Sequence, residues 1–424
     1  MRRLDDGGMR RALHELRDER LGPLPTLLGE PEAPLGAAVG ASGGELLSVR
    51  PRQVGWNPGR DLTVRYDARI RRPDGEHDEM LVATCGSEPP GGLRVEGPDG
   101  PVTIWQAPQD PWLPGLHAVT DPAMIEDLLD DLGAGPGETS RRLVAYRPGR
   151  RAVVRLRRGS SSVFVKVVRP DRAERIHRNH LAVEAVLPVP RTLGFAPDAG
   201  FVVLQALPGT VLRTALARPV RPGAEALLGV LDLLPEPTDG RRSAGWRTRS
   251  FGPLLRRLRP DLAARIDALE AANRRAEEAV EAPTVPVHGD FHEAQLLVDG
   301  RRITGVLDID TLALGHRIED LATMIGHLST LALGRRRVEV ERYAAAMLRR
   351  FDAVVDPVAL RSAVSSVVLG LATGPFRVLQ DDWHAATGAR IELAERWAAS
   401  AVRVAAERER NLMTVSDPLQ LGCG

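Results

Sequence analysis

The sequence predicts an α+β protein in three parts: a β-rich N-terminal domain over residues 1–135, a small β-sheet lobe over 136–207, and a large helical lobe over 208–424. Three observations carry this. Two hairpin-like segments about 90 residues apart share one pattern: VGWNPGRDLTVRY from Val54 to Tyr66 and VAYRPGRRAVVRL from Val144 to Leu156. Each runs from an aromatic through Pro-Gly-Arg into alternating β-branched residues, which is strand, turn, strand. Beyond Pro208 the apolar residues recur at helical spacing, broken by one hairpin.

A third strand follows each hairpin, MLVATC from Met80 and VFVKVV from Val163, and on this register Ala83 falls where Lys166 falls. The first set is therefore expected to be a degenerate duplicate of the second. Between them, Pro108–Leu116 is a proline-rich connector, and Asp121–Leu132 opens with Asp-Pro as a short helix does. Gly133–Gly137 breaks the chain and sets a boundary near 135. Pro170-Asp171 starts a helix to about Val186, and Phe201–Leu207 is a buried strand stopped by Pro208-Gly209. Helices are expected over Ala224–Leu233, Leu254–Val280, Ile318–Leu333, Val338–Ala353, Val358–Leu371 and Ala389–Arg410. Leu296–Leu307 holds two apolar runs around Asp299-Gly300, a hairpin signal.

Composition narrows the function classes. The 57 Lys and Arg nearly balance the 56 Asp and Glu, so the chain lacks the basic excess of a nucleic-acid binder. No apolar run reaches the roughly 18 residues of a membrane span. Cys85 and Cys423 are too few for a disulfide framework, and the charged N-terminus has no signal-peptide core. A cytoplasmic protein is expected.

Of the 57 basic residues only Lys166 is a lysine, and it sits in an apolar strand. A chain that uses arginine everywhere else keeps lysine where a compact ammonium works and a forked guanidinium does not. An unpaired charge there is costly, so an anionic partner or ligand is expected, and a phosphate fits.

The richest stretch is VHGDFHEAQLLVDGRRITGVLDIDTLALGHRIEDL, from Val287 to Leu321. Folding the 299–300 hairpin brings Gln295 close to Asp308, with Asp290 five residues before Gln295. A catalytic Asp five residues ahead of a metal-binding amide, with a second Asp beyond a hairpin, is the spacing of a phosphotransferase catalytic loop.

These residues resemble the aminoglycoside phosphotransferase and choline kinase superfamily: HGDFHEAQLLV, then GVLDID, then GHRIEDLA, over roughly residues 140 to 400. The resemblance implies a bilobal protein-kinase-like fold and an enzyme using ATP and Mg²⁺. It makes Asp290 the base facing the acceptor hydroxyl, His288 a brace for the loop, and Asp308 with Gln295 the Mg²⁺ ligands. Lys166 would meet the α- and β-phosphates, Gln205 to Leu207 would be the adenine hinge, and Asp320 matches a structural aspartate. The family usually has Asn at the position of Gln295; either amide offers a neutral hard oxygen. A similar HGDxHxxQ pattern occurs in the maltokinase-like and glucosamine-kinase-like branch, which also carries an extra N-terminal domain.

A kinase-type lysine pairs with a helix glutamate. Glu174 and Glu184 are the candidates, and helix position favours Glu174. His292 reads as a solvated loop histidine and Asp310 as a satisfied carboxylate. The expected reaction is phosphorylation of a hydroxyl on a small molecule such as a sugar, amino sugar or aminoglycoside. A peptide Ser or Thr as acceptor, and a regulatory nucleotide-binding pseudokinase, are the alternatives. The N-terminal domain would cap the acceptor pocket, hold the lobes apart, or form a homodimer.

Overall fold

The structure is a computed structural model and describes residues 12–245, 251–334 and 337–415. The mixed fold expected from the sequence is the fold observed, with β-sheet and helical parts in two compact units. The first runs through Glu184 and adds Pro190–Leu207 and Gly374–Ala386; the second holds Ala185–Val189, Pro208–Thr373 and the chain from Thr387.

The first unit contains two five-stranded antiparallel sheets. Strands β1 (Glu45–Asn57), β2 (Asp61–Arg72), β3 (Gly75–Cys85), β4 (Leu93–Gly97) and β5 (Gly100–Gln106) lie in the order β1-β2-β3-β5-β4. Along β2 the alternation Leu62, Val64, Tyr66, Ala68, Ile70 buries one face. Two helices missing from the β-rich expectation precede this sheet, α1 (Leu24–Gly29) and α2 (Glu32–Ala41). Tyr66 ties the first of them down by donating its hydroxyl to the Leu27 carbonyl at 2.6 Å.

The second sheet repeats the plan. Helices α3 (Pro114–Ala118) and α4 (Pro122–Asp131) precede β6 (Thr139–Arg147), β7 (Arg151–Arg158) and β8 (Ser161–Val168). Then come α5 (Pro170–Glu184), β9 (Thr192–Ala196) and β10 (Phe201–Gln205), in the order β6-β7-β8-β10-β9. Helix α4 starts where the sequence predicts: the Asp121 carboxylate accepts from the N–H groups of Ala123 and Met124, and Pro122 fills the first turn. Val163, Val165 and Val167 face a core with Leu113, Leu116, Ile125 and Leu129. On the opposite face, Val168 and Phe164 pack with Ala173 and Ile176 of α5.

The two Pro-Gly-Arg turns are built alike. Gly59 and Gly149 have φ of 72° and 66°, a left-handed conformation that glycine adopts without strain. Asp18 accepts from Gly59 N–H at 2.7 Å and from Trp56 Nε1 at 3.1 Å. Asp110 accepts from Gly149 N–H at 2.7 Å and from the Tyr146 hydroxyl at 2.8 Å. The register corrects one expectation: Val153 pairs with Lys166, and its counterpart Thr63 pairs with Thr84. Thr84, not Ala83, stands where Lys166 stands; a one-residue slip puts a side chain on the other face of a strand.

In the second unit the short strand β11 (Thr210–Val211) pairs with β13 (Leu296–Asp299), which forms the expected hairpin with β14 (Arg302–Val306), with Gly300 at φ 57°. The helix expected over Leu254–Val280 is two, Gly252–Leu258 and Ala263–Glu278, because Pro260 removes an N–H and Arg259, at φ −138° and ψ 69°, leaves the helical region. Strands β12 (Thr284–Val287) and β15 (Ala313–His316) pair and lead into the helix Arg317–Leu331. Pro357–Arg377 is, among the described residues, long and apolar enough to cross a membrane, at mean hydropathy 1.3. Half of it is buried within the protein, and Leu360, Ala363, Val364 and Val368 of its first helix serve as core. Cys85 is buried, and Cys423 lies outside the described residues.

Candidate active site

The segment His288–Gln295 connects β12 to β13 and is held from several sides. Asp320, fully buried on the helix Arg317–Leu331, accepts from His288 N–H at 2.7 Å and from Gly289 N–H at 2.9 Å. Burial raises the Asp320 carboxyl above its ordinary range, opposed by His288 and by the two N–H groups. Gly289 has φ 79°, and a Cβ there would lie 2.7 Å from the Thr311 carbonyl, so this turn requires glycine. His288 Nε2 lies 2.9 Å from the Leu307 carbonyl, and Nδ1 accepts from Asp290 N–H at 3.3 Å. The imidazole thus links the loop to the end of the hairpin.

The hairpin brings the three expected polar groups together. Gln295 Nε2 lies 3.4 Å from Asp290 Oδ2 and 3.5 Å from Asp308 Oδ2, so its amide sits between the carboxylates. All three side chains are half-buried. Asp308 is held at φ 56°, ψ 46°, a left-handed conformation that aspartate tolerates better than most residues. With the Gln295 amide turned so that Oε1 rather than Nε2 faces the two carboxylates, the three form an all-oxygen donor set, the kind that suits Mg²⁺. Asp310 follows on the single turn Ile309–Thr311, half-buried.

Behind this group stands a set that the sequence reading missed. His292 is buried, not solvated, and its ring stacks on His327 at a centroid distance of 3.9 Å. Ligand atoms of Asp290, His292 and His327 lie within 4.8 Å of one another, close enough to share a cation. Burial, and then His292, hold the His327 imidazole down to about 4. Glu293 is fully buried, and its Oε1 accepts from Arg213 Nε at 2.7 Å. Burial alone would raise the Glu293 carboxyl; His292, His327 and Arg213 bring it down to about 2. The signal for His327 was present: it lies seven residues, about two helical turns, after Asp320, hence on the same face.

The expected nucleotide-binding residues belong to the first unit. Lys166 is buried in β8, between Val153 and Val202 in the pairing, on the strand face turned to α5. Glu174 is not its partner. It is exposed and lies 3.6 Å from Arg178 one turn on, because the buried stripe of α5 runs Ala173, Ile176, His180, Val183 and Glu174 is one position out of phase. Glu184 continues that stripe, four residues after His180, and its Oε2 is buried without a hydrogen-bond partner. Gln205 ends β10 exposed, with its N–H donated to the Arg191 carbonyl at 2.9 Å, and Leu207 is half-buried. An adenine edge can thus meet the Gln205 carbonyl but not its N–H.

The pattern of the phosphotransferase enzyme family (APH) matches residues 137–359, just over half of the sequence. The chain belongs to that family and is a phosphotransferase. No curated protein matches it significantly. Among solved structures it is similar to a thermostable mutant of aminoglycoside phosphotransferase APH(4)-Ia, at 15% identity and TM-score 0.46, over 64% of this chain and 98% of that one. It is also similar to spectinomycin phosphotransferase APH(9)-Ia, at 11% identity and TM-score 0.41, over 64% and 98%. A third is aminoglycoside phosphotransferase APH(3'')-Id from Streptomyces rimosus, at 17% identity and TM-score 0.39, over 57% and 95%.

Proposed function

We propose that this phosphotransferase moves the γ-phosphoryl of ATP to a hydroxyl of a small molecule, a sugar or amino sugar, as in the maltokinase-like and glucosamine-kinase-like branch. The observation that carries it is the meeting of Asp290, Gln295 and Asp308 around one amide. Asp290 orients the acceptor hydroxyl and takes its proton as the new bond forms. Asp308 and Gln295 hold Mg²⁺, which neutralises charge on the nucleotide phosphates when bound. Lys166 contacts the α- and β-phosphates, steadied by Glu184, and the Gln205–Leu207 segment meets adenine. His288, Gly289 and Asp320 position the loop. The same reading makes the first sheet a degenerate copy that kept its strands and carries no phosphate lysine. Substrate-dependent ADP release from a panel of sugars, amino sugars, aminoglycosides and nucleosides tests it. Turnover with one of these classes is expected; ADP release only with a peptide acceptor, or none with Mg²⁺ and ATP present, rejects it.

A further inference from the structure

Both Pro-Gly-Arg turns line one cavity of about 160 Å³ in the first unit. That space readily admits a phosphoryl group, whose bulk is that of a few waters at about 30 Å³ each. Six of its lining side chains are arginines: Arg60, Arg65, Arg147, Arg150, Arg169 and Arg377. Asp61 is the one carboxylate among the described lining residues, and it already accepts from Asn57 Nδ2 at 2.6 Å and Arg60 Nε at 2.8 Å. The lining therefore carries five more positive than negative charges.

Several features show that this charge is built in. Arg377 is half-buried, and burial followed by the fields of Arg147 and Arg150 holds its guanidinium below the ordinary value. The Arg65 Nε is buried with no hydrogen-bond partner. Arg169 is fixed by a 2.8 Å hydrogen bond from its Nε to the Gly149 carbonyl and by stacking on Trp112. Like charges confined in a cavity repel and cost stability unless an anion joins them. We propose that this cavity is a binding site for a phosphate dianion, free or as the monoester of a small molecule, separate from the Lys166 site. Lys166 does not line it and faces the α5 side of its sheet. Recognition comes from guanidinium forks, which match tetrahedral oxyanions, because the glycine N–H groups of both turns are engaged by Asp18 and Asp110.

The test is calorimetric titration of the full chain with inorganic phosphate and with glucose 6-phosphate at matched ionic strength. Saturable binding of at least one is expected, weakened about tenfold or more in Arg377→Gln, the loss of one charge-assisted contact. Tighter binding of the ester assigns the site to a phosphorylated small molecule; equal binding assigns it to free phosphate. Lys166→Met should leave the affinity unchanged, whether or not Lys166 serves ATP. In chloride buffer Arg377→Gln should melt no lower than the parent, since it relieves repulsion. If it fails to fold, Arg150→Gln, on the exposed rim, takes its place. Absence of saturable binding, loss of binding in Lys166→Met, or unchanged affinity in the arginine variants would overturn the proposal.

Discussion

The two sheets of the first unit share strand order, a Pro-Gly-Arg turn and an aspartate that ties that turn to an aromatic side chain. They differ in two places. Where the second has Lys166 the first has Thr84, whose hydroxyl donates to the Leu62 carbonyl at 2.8 Å. Where the second inserts α5 between its third and fourth strands in the chain, the first crosses with residues 86–92. The difference teaches that alternating apolar faces and an anchored turn suffice to keep the sheet, whichever residue stands at the position of Lys166 and whether or not a helix packs over it.

The largest effect separates chemistry from architecture. Asp290→Asn should lower turnover by about 10²–10⁴ with nucleotide affinity nearly unchanged, since a general base acts on the acceptor; matched losses in rate and ATP affinity would move Asp290 to the nucleotide. Next, Lys166→Arg should slow the reaction at saturating ATP at least about tenfold, about 1.4 kcal/mol of transition-state stabilisation, while Thr84→Val leaves kinetics alone. Equal kinetics in all three proteins would erase the distinction between the sheets.

The third prediction presses on their likeness. Asp18→Ala and Asp110→Ala should each destabilise the protein by about 2–3 kcal/mol, because each strips partners from a buried carboxylate network. Denaturant titration checks it, and an effect confined to one variant breaks the equivalence. The last prediction is alkaline. Burial first, with Asp18 and Asp61, pushes the Cys85 thiol up to about 12, whereas Val167 stands at its place in the second sheet. A raised folded-state value gives stability that is complete below the ordinary thiol range near 9 and is lost as pH rises through 12. Cys85→Val should lessen the loss of stability over that window; an unchanged alkaline limb would put the loss elsewhere.

How much of this was legible follows from the range of each interaction. The turns, the hairpin at Asp299-Gly300 and the spacing from Asp290 to Asp308 are local, and the sequence showed them. Asp18 and Asp110 act on glycines 41 and 39 residues away, which no local pattern reveals. Glu174 was favoured by its place along a helix, but pairing depends on rotation about the axis, and one residue is about 100°. Pro260 was legible and overlooked inside a long periodic run.

The left-handed backbone at Asp308 has an evolutionary consequence. Aspartate, asparagine and glycine occupy φ 56°, ψ 46° with least strain, and a β-branched or bulky side chain there is an outlier. Descendants of this enzyme that shed activity would therefore drift to Asn or Gly at this position far more readily than to Val or Ile. Reading position 308 across relatives would separate working lineages from retired ones before any assay is run.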